Sequence, residues 1–505
     1  MLCRFVVRVQ RASLSLLRTR PRASLSSLMV CLLLSGCPDS KPNGGTNAVT
    51  LPFKGQEVEL LVPKGLGLPA TWEVLIQEWS SQTGAAVRWT EYSSEEEATF
   101  GKSLEPTVCP GGRVVLFSLQ RLSELDRHLA PLNPATGSDL DLKDLFKGLR
   151  ERVVSRERFP VAVPIAAPVL VCYYRRDLLK AAGLKPPATW EDYQTLLDAL
   201  ERWAPNLTAV EPLGPDHRAA TFFARSLAFA KHPENYSVWF DLETGESLVQ
   251  TPGFVEALVT AQRAWKRMPS SINKMTPTDC RRAMIEGRAA LALAFEPSSV
   301  MEAASRVERA PGIEIGICRL PGSRRVFNRN SNRWETSAVG SLHAPGLCGT
   351  TGLAAGVTLP TSGSKDVAAW NLLTTLVGSE FESTWATLPK TPCRESQVST
   401  APNWNNNGLT AEEASQYVDA VAQMLRDPQL AAELPLPRAD DLRAATARGI
   451  SRVLSGEAEP AAALATLQSE FDEIATSLGK DSLRSAYRRG LGLATSTTLP
   501  PERAP

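Results

Sequence analysis

Residues 161–174 are apolar and β-branched, yet Pro164 and Pro168 interrupt them. Proline gives no N–H to a central ladder, so this stretch is read as an extended crossing rather than one unbroken strand. A short helix over residues 175–182, ended by Gly183, comes next, and Pro186 and Pro187 keep the following chain extended. Thr189, with Asp192 three residues on, makes a capping-box-like start for a helix carrying Tyr193, Leu196, Leu197 and Leu200 on one face. An extended crossing followed by two helix starts is what a chain needs where it leaves one lobe and begins another. At 505 residues the chain is past the size at which a single core keeps growing, so two lobes are expected.

The chain before this crossing supports a layered α/β architecture. Residues 57–62 read as a strand. Residues 69–82 read as a helix with Trp72, Leu75, Ile76 and Trp79 at helical spacing, and residues 87–90 as a second strand. A β-α-β opening implies parallel pairing, with ligands at the carboxyl ends of the strands, so the glycine loop around Leu66 faces the expected cleft. No GxxxxGK[ST] follows it, which sets a phosphate cradle aside. The strand over residues 111–118 ends on Ser118, a second candidate at a strand end.

Beyond the crossing, residues 207–212 read as a strand whose end and following turn offer Glu211, Asp216 and His217 as ligand groups. A solvated turn with a helix-capping Asp is the competing reading. Residues 239–249 read as a hairpin around Thr244–Gly245. The strand over residues 288–296 ends on Phe295 and Glu296 just before Pro297, where Phe295 is either a cleft aromatic or a core residue. Residues 316–320 read as a second crossing and residues 388–394 as a third. Residues 322–349 form a long polar segment with Trp334, either a lid or a mobile surface loop. Leu464, Leu467, Phe471, Ile474 and Leu478 form a helical apolar seam; periodicity fades after Gly479.

Residues 1–36 carry six arginines and no acid, then an apolar run into Leu34-Ser35-Gly36-Cys37. This is the pattern of an export signal, and its end resembles a bacterial lipobox, in which Cys37 would be acylated and anchor the mature chain; an ordinary secretory peptide cleaved nearby is the alternative. Without those arginines the formal +1 of the chain (55 basic, 54 acidic) becomes −5, which argues against nucleic acid as partner. Export would leave six cysteines in an oxidising compartment (Cys109, Cys172, Cys280, Cys318, Cys348 and Cys393). Fifteen pairings are open. Cys172 and Cys280 sit in apolar patterns as core residues, while Cys318 and Cys348 bracket the polar segment and are the expected pair. No HExxH, CxxC or GxSxG is present, so neither metal, cofactor nor serine chemistry is expected.

The run Tyr173-Tyr174-Arg175-Arg176-Asp177-Leu178-Leu179, the following "AGLKPPATW" turn and the unit "TDCRRAMIEGRAALALAFEPSS" resemble, in order, the extracellular solute-binding proteins of ABC transporters, in the family that includes the maltose-binding protein. The polar segment resembles an insertion in a planctomycete-type branch. The resemblance implies an α/β, two-lobed periplasmic-binding-protein-like fold (type II), each lobe a mainly parallel sheet flanked by helices, with extended hinge crossings. On it the domains are residues 1–36 signal peptide, 37–50 tether, 51–163 and 316–390 first lobe, 164–315 and 391–480 second lobe, and 481–505 a disordered tail. It also implies capture of a small solute, a carbohydrate by family majority, by a monomer working with permease subunits and without catalysis. The ligand set it implies is Leu66, Ser118, Pro168, Glu211, Asp216, His217, Phe295, Glu296, Trp334, Thr350 and Arg394, the last at a "LPKTPCRES" turn that braces the hinge or meets ligand. Where the maltose-binding branch carries an acidic contact, this chain has Ala166-Ala167-Pro168, which speaks against maltodextrin. A sensor or adaptor without a permease is the alternative, with an exported hydrolase behind it.

Overall fold

The structure, a computed structural model, describes residues 51–64, 70–93, 96, 112–132, 140–156, 159–296, 307–338, 340–359, 367–378, 391–400 and 408–494. They belong to one compact unit that begins at Leu51. Cys37 and Leu66 lie outside the described residues, as do residues 495–505.

β1 (Glu57–Pro63), α1 (Ala70–Thr83), β2 (Ala86–Tyr92) and β3 (Arg113–Ser118) form the expected opening, with β1 parallel to both neighbours. Alternation along β1 turns Val58, Leu60 and Val62 to one face, where α1 seats Trp72 and Trp79. Trp79 Nε1 also donates to Asn371 Oδ1 at 2.7 Å. Fully burying an aromatic or large aliphatic side chain stabilises the fold by roughly 1.5–3 kcal/mol, so this helix is held by its apolar face and not by propensity.

β4 (Val163–Ala166) and β5 (Val171–Arg175) follow in immediate succession but lie in different sheets. The chain therefore passes from one lobe to the other at Ala167 to Leu170, around Pro168, while Pro164 pairs within β4, so residues 164–166 belong to the first sheet and not to the second lobe. The second lobe adds α2 (Trp190–Asp198), β6 (Thr208–Val210), α3 (Arg218–Ala230), α4 (Pro252–Trp265), α5 (Pro277–Ile285), β7 (Ala289–Ala294) and β8 (Ile315–Arg319). Thr189 and Asp192 cap α2 reciprocally at 3.1 and 2.9 Å. The hairpin β9 (Arg325–Asn328) and β10 (Arg333–Thr336), the short β11 (Leu347–Cys348), and then β12 (Leu353–Val357) and α6 (Val367–Val377) come next. α7 (Ala411–Leu425), β13 (Ala431–Ala432), α8 (Ala439–Leu454), α9 (Pro460–Leu478) and α10 (Lys480–Gly490) complete the described chain.

The two main sheets run β2-β1-β3-β12-β4 and β8-β5-β7-β6. Both are mixed rather than mainly parallel. β12 is antiparallel to β3 and β4, and β5 is antiparallel to β7 and β8, because these strands adjoin passages between lobes and enter their sheets from the other direction. α8 and α9 pack on α3 and α4, so the C-terminal helices cover the second lobe.

Three expectations are corrected. Residues 316–319 are no crossing: they form the edge strand β8, zipped to β5 and roofed by α7, and the return to the first sheet comes between β8 and β12. Residues 325–336 are neither lid nor loose loop but a hairpin seated on α3 and α4. Asn328 Nδ2 donates to Glu234 Oε2 at 2.8 Å and Glu335 Oε1 at 2.7 Å, Arg329 N–H donates to Asn235 Oδ1 at 3.0 Å, and Trp334 packs edge-on to Phe327 under the Arg325 guanidinium. The polar residues thus serve hairpin and helix ends. Residues 480–490 are helix, not tail: Leu483, Ala486, Tyr487 and Gly490 recur at helical spacing and are buried. Tyr487 Oη accepts from the N–H groups of Val238 and Trp239 at 3.3 and 3.2 Å, and a Cβ on Gly490 would stand 1.8 Å from Pro435 O, so only glycine admits this packing.

Candidate functional site

The carboxyl end of β3 and the start of β12 meet at one edge of the first sheet, Ser118 opposite Leu353. Leu119 N–H donates to Gly352 O at 3.2 Å, fastening the turn after β3 to the turn before β12. Gly352, at φ +115°, has Ala166 O 2.2 Å from where a Cβ would sit and Pro168 Cδ at 3.0 Å. This close approach needs glycine. It gathers Ser118, Pro168 and the turn carrying Thr350, three of the expected ligand residues, at one edge.

Against these turns stands the segment between β13 and α8. Glu433 N–H donates to Cys348 O at 2.8 Å, and Arg443 of α8 reaches Glu433 Oε2 at 3.1 Å and Gln120 O at 3.5 Å. Arg121, after β3, pairs with Asp440, which Arg443 also engages at 2.5 Å. The connection between Glu433 and α8 holds two non-glycine residues in the left-handed region, Leu434 at φ 41° and Arg438 at φ 62°. Such backbone persists only where its surroundings fix it, and Gly490 packing on Pro435 is one such constraint. Glu433 is 5% exposed; its Oε1 is buried with no donor among the described residues, and burial pushes its carboxyl above the usual carboxylate range against the opposing pull of Arg443. A buried acceptor without a donor is costly, so a hydroxyl brought to it would be held firmly.

The strand ends of the second sheet differ. Glu211, after β6, is fully buried, its Oε1 accepting from Arg225 Nη2 at 2.5 Å and its Oε2 from Trp265 Nε1 at 2.9 Å. Glu296, after β7, has both oxygens on Arg281 at 2.7 and 2.8 Å and also accepts from Tyr173 Oη at 2.8 Å. Burial, then the Glu296 carboxylate, pushes the Tyr173 phenol well above its ordinary value, which keeps it a donor. Both carboxylates are thus bound within the second lobe, and Phe295 beside Glu296 is 7% exposed and part of the core.

Arg394 is 4% exposed and donates to the carbonyls of Asp141 and Leu140 at 3.0 Å each and Val377 at 3.3 Å. Nearby, Ala167 N–H of the first crossing donates to Thr391 Oγ1 at 3.0 Å, so the two crossings touch. Asp216 is exposed in the turn before α3 and His217 half-buried at its N-cap, where His217 N–H donates to Gly214 O at 2.9 Å. Trp334 belongs to the hairpin on α3 and α4 and does not join the strand-end set. Arg121, Glu433, Asp440 and Arg443 escape the sequence reading. Their signal was the run Glu433-Leu-Pro-Leu-Pro-Arg-Ala-Asp-Asp441, two prolines and first-turn acids announcing a helix whose preceding turn is not free to move.

The chain matches a family model described as bacterial extracellular solute-binding protein over residues 75–413. No curated protein matches it in sequence. Among solved structures it is similar to maltose-bound MalE3 of T. maritima, 16% identical with a TM-score of 0.60, covering 83% of this chain and 100% of that one. A solute-binding protein of an ABC transporter from Agrobacterium radiobacter, in complex with ribitol, is 18% identical at a TM-score of 0.60, covering 84% and 100%. The sugar-binding protein MalE of Xanthomonas citri is 19% identical at 0.61, covering 83% and 98%. At such identities the structures attest the two-lobed fold alone, and the family model supplies the rest: the chain belongs to the bacterial extracellular solute-binding proteins.

Proposed function

We propose that this protein is the substrate-binding lipoprotein of an ABC importer, that it captures a small carbohydrate between its lobes and that it converts nothing. The observation that carries the reading is the first-sheet edge. There the Glu433 carboxylate, with one oxygen lacking a donor among the described residues, stands beside the Arg443 and Arg121 guanidinium groups and the Ser118 and Thr350 turns. Hydroxyl-rich solutes need this mixture of acceptors and donors. Maltose and ribitol, held by two of the similar structures, are both of that class. The apolar Ala166-Ala167-Pro168 at the crossing speaks against a maltodextrin. Because Ala167 to Leu170 and Thr391 to Arg394 link the lobes, closure is set by ligand contacts from both sides. Cys37 is the proposed anchor, the planctomycete-type branch the proposed placement within the family, and a monomer the proposed working unit.

A thermal-shift panel of monosaccharides, oligosaccharides, polyols and amino acids tests the reading. A ligand at about 100 times its dissociation constant stabilises the folded state by roughly 2.7 kcal/mol, about 5 degrees for lobe-sized units. A hit that is chemically altered on incubation would replace binding by hydrolysis, and a silent panel would favour the sensor alternative. For the anchor, labelling with a fatty-acid analogue should mark the wild type and leave Cys37→Ala unlabelled and soluble.

A further inference from the structure

The expected pairing of Cys318 with Cys348 is not formed in this structure. Cys318 on the edge strand β8 lies directly opposite Cys172 on β5, while Cys348 is fully buried on β11. All three are free thiols in this structure.

The kind of register position decides what the pair can do. Ile315 N–H donates to Glu413 Oε1 at 2.9 Å and Ile317 N–H to Gln416 Oε1 at 3.1 Å, both on α7 and so away from β5. The alternate residues Gly316 and Cys318 therefore turn their backbone groups toward β5, which makes Cys318 and Cys172 a hydrogen-bonded pair with Cα atoms about 5.5 Å apart. That is inside the range a disulfide spans, but the Cβ atoms of such a pair stand about 5.5 Å apart, wider than the roughly 3.8 Å of a relaxed bridge. Closing it requires the edge strand to shift, and a strained bridge is an easily reduced one.

The two thiols are also unequal in access. Cys318 is half-buried and lines an open cavity of about 410 Å³ with Pro187, Leu320, Gln416, Asp419 and Gln423. Cys172 has no exposed surface, and its thiol is pushed well above the ordinary value by the neighbouring Cys318 thiol and by burial. An accessible thiol beside a buried resolving partner is the arrangement of a redox couple.

We propose that Cys172 and Cys318 form a reversible cross-strand disulfide in the extracellular setting of the family, with Cys318 as attacking and Cys172 as resolving thiol. The oxidant is a disulfide, either of a small molecule or of a thiol oxidoreductase. The Cys318 thiolate attacks one sulfur of that disulfide, giving a mixed disulfide and releasing one thiolate. Cys172 then loses its proton and attacks Cys318 Sγ, expelling the second. Two protein thiols are oxidised and one external disulfide is reduced to two thiols. The bridge ties the strand leaving the first crossing to the sheet edge, so it stiffens the second lobe next to the hinge.

The test exposes the full-length exported protein to oxidised glutathione, blocks remaining thiols with iodoacetamide and digests without reductant. A Cys172 peptide joined to a Cys318 peptide, lighter than their sum by two hydrogens, is expected. The link should open in dilute dithiothreitol, be absent from Cys318→Ser and persist in Cys348→Ser. In Cys172→Ser, Cys318 should accumulate as the glutathione adduct. Recovery of wild-type Cys318 alkylated, still carrying glutathione, or joined to Cys348 would overturn the proposal. This readout needs no ligand, so it is independent of whether the carbohydrate reading stands, and wild-type mapping decides even where a variant fails to fold.

Discussion

Carboxylates follow strands or precede helices at both lobes, and they serve opposite ends. Glu211 and Glu296 on the second sheet have every oxygen engaged by Arg225, Trp265, Arg281 or Tyr173. Glu433, at the first-sheet edge, has one oxygen on Arg443 and one with no donor among the described residues. Strand-end position alone therefore does not mark a ligand group. What separates a brace from a binding residue is whether its partners already come from the protein, because a buried carboxylate whose two oxygens are both held by protein donors gains little from a solute hydroxyl.

The strongest way to break this contrast is to disturb the second lobe. Arg281→Met strands Glu296 as a buried charge, a change that costs about 3–5 kcal/mol. Denaturant unfolding should show that loss. A variant of wild-type stability that no longer binds solute would make Glu296 a ligand group after all. Next in size comes His343, 9% exposed, which burial lowers to about 4 and whose Nε2 lacks a partner among the described residues. Because the folded value lies below the 6.5 of an exposed imidazole, the neutral ring favours folding. That contribution is complete above pH 6.5 and disappears as the pH falls through about 4. It amounts to about 3 kcal/mol. Melting of His343→Gln against wild type across this window should show the variant losing less stability on acidification; parallel curves would mean the ring is not buried in solution.

Glu433→Gln sharpens the contrast directly. It keeps the shape, removes the charge and weakens an acceptor that a hydroxyl would use, worth about 1.5–3 kcal/mol for a bond to a charged group. Calorimetry on the folded variant should record a loss of affinity of about 10- to 100-fold, beside a lower melting temperature because Arg443 loses its charged partner out of solvent. Unaltered affinity would move the site elsewhere along the strand ends.

Much of the architecture was legible in sequence because it rests on local rules. Pro168 placed the crossing, although Pro164 sits within β4; helical spacing placed Trp72 and Trp79, and a capping box placed α2. What was missed depended on distant chain. Nothing near Glu211 announces Arg225 and Trp265 as the owners of its oxygens, and nothing near Cys318 names Cys172, since strand register is settled by the whole sheet. The polar residues at 325–336 read as loop because their partners, Glu234 and Asn235, follow α3 far upstream. The α10 seam is only four residues, too short to stand out against arginines and serines.

The smallest expected effect concerns the pair between Arg121 and Asp440, which joins the turn after β3 of the first sheet to α8 on the second lobe. Arg121 is 12% exposed at its side chain and Asp440 48%, so solvent screens the attraction and an exposed pair of this kind is worth about 0.2–1 kcal/mol. Since its ends belong to elements packed on different sheets, that energy favours the arrangement in which the lobes are drawn together. Asp440→Asn should therefore weaken solute binding by no more than about fivefold. The loss should fade in 1 M salt, where the screening length falls to about 3 Å. The loss in Glu433→Gln should persist there, because Glu433 and Arg443 meet out of solvent. Titrations of both variants at low and high salt separate the two behaviours. An Asp440→Asn loss that survives 1 M salt would show that Asp440 touches the solute itself, and the line between brace and ligand group would have to be redrawn through α8.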